Sequence, residues 1–160
     1  MSHFTRHLTK FSFGATSAIV TSLAFIVGLS RNTDSRLIII GSLLVIAIAD
    51  NISDSLGIHI YQESELKKPR AIRASTFYNF LTRFLATMVF VLLVAFLPTM
   101  YAVTVSIAYG VSLVVILSYL ISKEQKVSPW AAILQHVAIV VLVIIASSFV
   151  GEWIAGIFRI

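Results

Sequence analysis

No cysteine occurs among the 160 residues, which excludes disulfides, thiolate metal sites and thiol nucleophiles and leaves the redox compartment open. Charge is scarce too. Asp, Glu, Lys and Arg make up 12% of the chain against 58% hydrophobic residues, and the mean hydropathy is +0.96. A soluble core cannot hide that much apolar surface, so the composition is that of an integral membrane protein. Also missing are a phosphate-cradling glycine loop, a nucleophile elbow and a zinc-type histidine cluster, so no enzyme is expected. The net charge of +5 would point to nucleic acid in a soluble domain. Here the basic residues crowd the ends of apolar segments, where they set topology, and no nucleic-acid reader or soluble partner is implied.

What is present is a series of apolar runs. A hydrocarbon core about 30 Å thick needs about 20 helical residues, and five segments meet that length, at about 11–29, 37–61, 80–96, 101–121 and 130–150. Arg31 to Asp34, Pro98, and Lys123 to Pro129 punctuate them. The expectation is one all-α domain over 1–160, a bundle of five transmembrane helices with a cytoplasmic linker at 62–79. Ser2 to Lys10 and the run after it read as a retained anchor, because the run is long and no small-residue cleavage site closes it. Arg6, Lys10, Lys67, Lys68, Arg70, Arg73, Lys123 and Lys126 fall on one side, and Arg31, Arg36 and Arg159 on the other. The positive-inside rule then puts the N-terminus in the cytoplasm and the C-terminus outside it. With no organelle address and a short chain, a prokaryotic cell membrane is expected.

Asp50 and Asp54 lie one helical turn apart inside the second run. A carboxylate in hydrocarbon costs about 2.5–3.5 kcal/mol on insertion scales, so two on one helix must face protein, water or an ion. At 100° per residue, Asp50, Asp54, Gly57 and Tyr61 share a narrow arc with Ser53 on its flank, while Asn51, Ser55 and His59 turn away. Asp50 lies about 20 Å along the helix from Leu37, in the cytoplasmic half of the membrane. The bland alternative is a helix that leaves the membrane near Asp50. Against it, the stretch 37–49 is too short to span unaided, and Ile52, Leu56, Ile58 and Ile60 extend the apolar content.

In the first run Gly14, Ser17, Thr21, Ala24 and Gly28 recur at spacings of three and four. Small residues so placed form a seam that lets another helix approach closely, and the hydroxyls of Ser17 and Thr21 are available as oxygen ligands. The same stripe also serves ordinary helix packing. A two-fold homodimer joined near the first helix would gather four carboxylates and several hydroxyls at a common axis. Such an array suits a divalent cation. Crowded carboxylates repel one another, so exchange of bound protons for an arriving cation is chemically natural.

These features resemble the vacuolar iron transporter family: five spans, a glycine and hydroxyl seam on helix one, and the end of helix two. Where that family opens helix one with Gly, any residue, Asn or Ser, Asp and Gly, this chain has Gly14, Ala15, Thr16, Ser17 and Ala18. Its helix-two pattern of Ser, Met and Gly followed by Ser and Glu is met by Ser53, Asp54, Gly57, Ser64 and Glu65. Ser147 to Gly151 is similar to the family's last helix. The resemblance implies a homodimeric exporter of Fe²⁺ or Mn²⁺ working against protons, with the ion path between the first two helices of each subunit; the residues themselves point to Asp50, Asp54, Ser17 and Thr21 as the transported ion's ligands, with no resident cofactor. Ser17 stands where the family has aspartate, and Asp54 where it has methionine, which makes the site harder. The family's long glutamate-rich cytosolic domain has no room between residues 62 and 79, so Glu63 and Glu65 are at most a reduced collecting site. The alternative from another class is a non-transporting structural or assembly module, with the aspartates holding the dimer.

Other polar residues carry less. The basic run from Lys67 to Arg73 reads as topogenic, with an interfacial helix over 71–80. His3 and His7 make at most a weak metal site, His59 points off the aspartate face, and His136 is expected to hydrogen-bond a neighbouring helix. Arg83 is expected to snorkel to the cytoplasmic surface rather than neutralise a buried acid. Glu152 is expected at the outer interface. An intramembrane aspartyl protease is disfavoured because both aspartates share one helix.

Overall fold

The computed structural model describes residues 3–158, with side chains from Gly14 onward. His3, His7, Arg6, Lys10 and Arg159 therefore lie outside the described side chains. The described residues form five helices and no strand: α1 (His3–Ser30), α2 (Arg36–Ser64), α3 (Pro69–Phe96), α4 (Thr99–Gln125) and α5 (Pro129–Ile157). The last four are long and apolar enough to cross a membrane, while the apolar part of α1 is the shorter stretch Gly14–Ser30. At 27 to 29 residues each, these four reach about 40 Å, enough to cross the hydrocarbon and emerge at both faces or tilt. The protein is a multi-pass membrane protein.

The helix ends follow local chemistry. Pro69 and Pro129 sit in the first turns of α3 and α5, where the missing N–H costs nothing and the fixed φ suits the helix. Lys126 closes α4 in the left-handed region, and Leu66 makes the same turn after α2. Pro98, in extended conformation, separates α3 from α4.

Helix α1 is the hub, packing against α3, α5 and α4 and touching α2 less. Ile19, Leu23 and Ile26 are fully buried, and from Gly14 to Ser30 only Phe25 is exposed. Helix α2 packs chiefly against α3, and α4 against α5. Ile39, Leu43, Phe90, Val94, Val114 and Val140 complete a core drawn from every helix. Phe90 meets Tyr109 edge to face at 5.6 Å.

One boundary differs from expectation. The linker predicted over 62–79 shrinks to four residues, 65–68, because helix resumes at Pro69 and continues unbroken into the third span. The reason is a buried stripe of Ile72, Ser75, Asn79, Arg83 and Thr87. It recurs every three or four residues, so it holds helical period, but it is polar and hydropathy does not register it.

The seam on α1 is used within the chain. A Cβ on Gly14 would come 2.7 Å from Asn79 Oδ1 of α3, and one on Gly151 of α5 would come 2.2 Å from the carbonyl oxygen of Gly28. The α1–α5 crossing therefore needs glycine at 151, whereas Gly156 on the same helix faces open space. Gly151→Val is expected to lower stability by about 1–3 kcal/mol, the usual range for overpacking, with Gly156→Val close to neutral. Unfolding midpoints in detergent micelles measure both, and equal shifts would rule out this crossing.

Candidate functional site

The second span is one continuous helix with a π turn over Ile46–Asp50. The side chain of Asn51 donates to the carbonyl of Ala47 within that turn, at 2.9 Å. Such bulges interrupt α-helical packing and often accompany functional residues. From Asn51 to Ser64 the helix is regular. There Asp50, Ser53, Asp54, Gly57, Ile58 and Tyr61 line one hollow of about 470 Å³ on its outer face. Asn51 and Ser55 are buried and His59 is half-buried, all three turned toward α3.

Arg83 does not snorkel. It is only 1% exposed and lies between α2 and α3, and this corrects the expectation from sequence. Its Nη2 donates to Asp50 Oδ2 at 2.5 Å and its Nε to Asn51 Oδ1 at 2.9 Å. Its Nη1 lies 3.1 Å from Asp54 Oδ2, an ion pair whose N–H direction is not that of a hydrogen bond. Asn79, one turn earlier on α3, donates to Ser55 Oγ at 3.1 Å and to Asp54 Oδ2 at 3.4 Å. A guanidinium presents five donors in a rigid planar fork, and here that fork is shared among three residues of one neighbouring helix.

The cluster is polarised in burial. Arg83 is enclosed, but the side chains of Asp50 and Asp54 are 45% and 31% exposed, opening onto the hollow. Two carboxylates face one guanidinium, so in its ionised form the cluster carries one surplus negative charge. An arginine does not deprotonate in proteins, so a bound proton or a cation must balance that charge wherever water is excluded.

The other predicted site residues lie apart. Ser17 and Thr21 are half-buried on α1, and no hydrogen bond ties either to the cluster among the described residues. Gly14 is the point of α1 that reaches the cluster, through Asn79 and the Arg83 stem. Ala24 and Gly28 face α5 beyond it. Gly57 opens onto the hollow with nothing against it. At the end of α2, Glu63 pairs with His59 at 3.4 Å, and Glu65 with Lys67 at 3.4 Å and with the Tyr61 hydroxyl at 3.2 Å. His59 also bonds Thr76 of α3 at 3.0 Å. His136 bonds Ser118 of α4 at 2.8 Å. Glu152 pairs with Arg31 at 3.3 Å, both exposed.

Among the described residues no group of three or more Asp, Glu and His converges in a way that would hold a metal ion. A divalent cation of this hardness takes six or more oxygens, so one copy of Asp50 and Asp54 is an incomplete donor set.

Sequence reasoning sent Arg83 to the surface and did not single out Asn79, although register carried the signal. Asp50 lies fourteen residues before Ser64 and Arg83 fourteen after Pro69, so both sit about 21 Å from the same tight turn. Asn79 and Arg83 repeat the one-turn spacing of Asp50 and Asp54.

Compared with models of protein families, with curated proteins and with solved structures, the chain matches none.

Removing one partner of a buried ion pair is costly because the other charge remains. Arg83→Met is expected to destabilise the bundle by about 3 kcal/mol, the low end of the range for buried pairs, because both aspartates are partly exposed. Adding Asp50→Asn and Asp54→Asn should restore most of that loss. Arg31→Met, in the exposed pair, should cost less than about 1 kcal/mol. Detergent unfolding of the variants measures these differences, and parity of Arg83→Met with Arg31→Met would disprove the buried pairing.

Proposed function

We propose that this protein is a membrane carrier that exchanges protons for a divalent cation at the Asp50–Asp54 face, working as a two-fold homodimer. The observation that carries this reading is the surplus negative charge of the cluster, exposed on an outer face of α2 at membrane depth. Lipid is an unsuitable neighbour for it. A second copy, set so that the two α2 faces enclose a common hollow, removes that face from lipid and doubles the donor set to four carboxylates. Two such clusters carry two surplus negative charges, the charge of one divalent cation or of two protons. Exchange of one for the other is electroneutral within the site.

Carboxylate oxygens, with Ser53 beside them, favour hard ions such as Mn²⁺, Mg²⁺, Ca²⁺ and Fe²⁺ over soft ones. The resemblance to vacuolar iron transporters favours Fe²⁺ or Mn²⁺ as the cargo and export from the cytoplasm as the direction. The basic residues around the 65–68 turn favour a cytoplasmic location for that end. Ser17 and Thr21, half-buried on α1 and outside the lining of the hollow, are not part of this donor set.

A second reading has its own support. Arg83 holds Asp50, Asn51 and Asp54 together, as a fastening in a non-transporting module would. The two readings part on one substitution. Asp50→Asn leaves Arg83 paired with Asp54 and so keeps the bundle folded. In proteoliposomes with a trapped pH dye, wild-type protein is expected to couple Mn²⁺ or Fe²⁺ uptake to proton release, and Asp50→Asn to reduce that flux at least tenfold. Weaker subunit association with no cation crossing in any case would favour the fastening. Flux untouched by Asp50→Asn and Asp54→Asn alike would eliminate this site.

A further inference from the structure

A groove between α2 and α3, on the side opposite the aspartate hollow, has two parts. Its lower part, about 470 Å³, is walled by Ile52, Leu56, Phe77 and Phe80. Its mouth, about 540 Å³, is bordered by Lys67 and Arg73 together with Glu63 and Pro69. His59 and Arg73 line both parts, so the two form one cleft with an apolar depth and a charged rim.

Charge at the rim is unevenly matched. Glu63 is engaged by His59, and Lys67 by Glu65 in a pair about half exposed on both sides. Arg73 is exposed and has no ion pair among the described residues. Lys68 and Arg70 precede it in sequence, so the end of α2, the turn and the first residues of α3 carry four cations against two carboxylates. The rim lies at the basic end of α2 and α3, the level at which cations meet phospholipid headgroups.

We propose that this cleft binds one anionic phospholipid, with an acyl chain along Ile52, Leu56, Phe77 and Phe80 and the phosphate at Arg73 and Lys67. The shape fits an amphiphile, because a free anion would leave the apolar depth unused and a neutral hydrocarbon would leave Arg73 unpaired. The occupant is already the solvent of the protein, so no further partner is needed. The cleft is separate from the aspartate hollow. Ser55 lines its inner wall and accepts the hydrogen bond of Asn79, which also reaches Asp54. Lipid in the cleft therefore touches the back of the charged cluster.

Native mass spectrometry of the detergent-purified full chain, titrated with phosphatidylglycerol or with phosphatidylcholine of the same acyl chains, tests this. Phosphatidylglycerol is expected to bind once per chain and more tightly than phosphatidylcholine. Arg73→Gln should weaken it about fivefold, the effect of one cation at a lipid surface. Leu56→Trp, which fills the apolar depth from an exposed position, should weaken both lipids, with thermal unfolding verifying that the variant is folded. Lys123→Gln, a basic residue at the end of α4 outside the cleft, should change neither. Equal affinity for the two lipids, or equal losses from Arg73→Gln and Lys123→Gln, would overturn the proposal. So would full competition by free glycerol 3-phosphate, which would mark an anion site that does not use the groove.

Discussion

A guanidinium held almost completely out of solvent, midway along a helix long and apolar enough to cross a membrane, constrains everything around it. A buried guanidinium is costly unless its donors are met, so each neighbouring element must answer Arg83 with acceptors or with room. Helix α2 answers with Asp50, Asn51 and Asp54 on adjoining faces of one turn. Helix α1 answers with Gly14, whose missing side chain admits the Arg83 stem and the Asn79 amide. A methyl group there would press on the cluster, so the first residue of the α1 seam serves a charge and not only a helix crossing. The short turn at 65–68 sets the two helices in register at that depth.

Helix count and most boundaries were legible in the sequence because hydrocarbon allows few solutions. Long apolar runs separated by Arg31 to Asp34, by Pro98 and by Lys123 to Pro129 leave little choice of architecture. The arc of Asp50, Asp54, Gly57 and Tyr61 was legible as well, because the helix is regular beyond the π turn and 100° per residue holds from Asn51 onward. The start of α3 was hidden. Its first turns bury Ile72, Ser75 and Asn79, a helical period written mainly in polar letters, and hydropathy reads such a stretch as a linker.

Arg83 was misjudged for a related reason. Long basic side chains near the end of an apolar run generally reach back to the headgroups, and counting the run from Phe80 put Arg83 at its end. Counting from Pro69 places it midway along α3, where its stem turns toward α2 and meets Asp50 and Asn51. Once the helix start moves, the matched depths of Asp50 and Arg83 follow from the rise per residue. The role of Gly14 and the close approach of Gly28 to Gly151 could not be separated by spacing alone. Both belong to one small-residue stripe, yet one faces α3 and the other α5.

The unequal exposure of the cluster is its most consequential property. Had Asp50 and Asp54 been as buried as Arg83, the three would form a closed fastening whose net charge a retained proton could cancel for good. Instead the carboxylates show 45% and 31% of their side-chain surface to a hollow that also holds Ser53 and the bare backbone of Gly57. Groups that only hold helices of one chain together gain nothing from that opening, whereas a site that trades one positive charge for another, or one that fastens a second copy, makes use of it. The guanidinium behind them then acts as a ballast. It lowers the net charge of the ionised cluster from two to one, so under the proposed exchange a copy that gave up its proton or its share of a cation would not leave a doubly charged pair in a medium that tolerates it poorly.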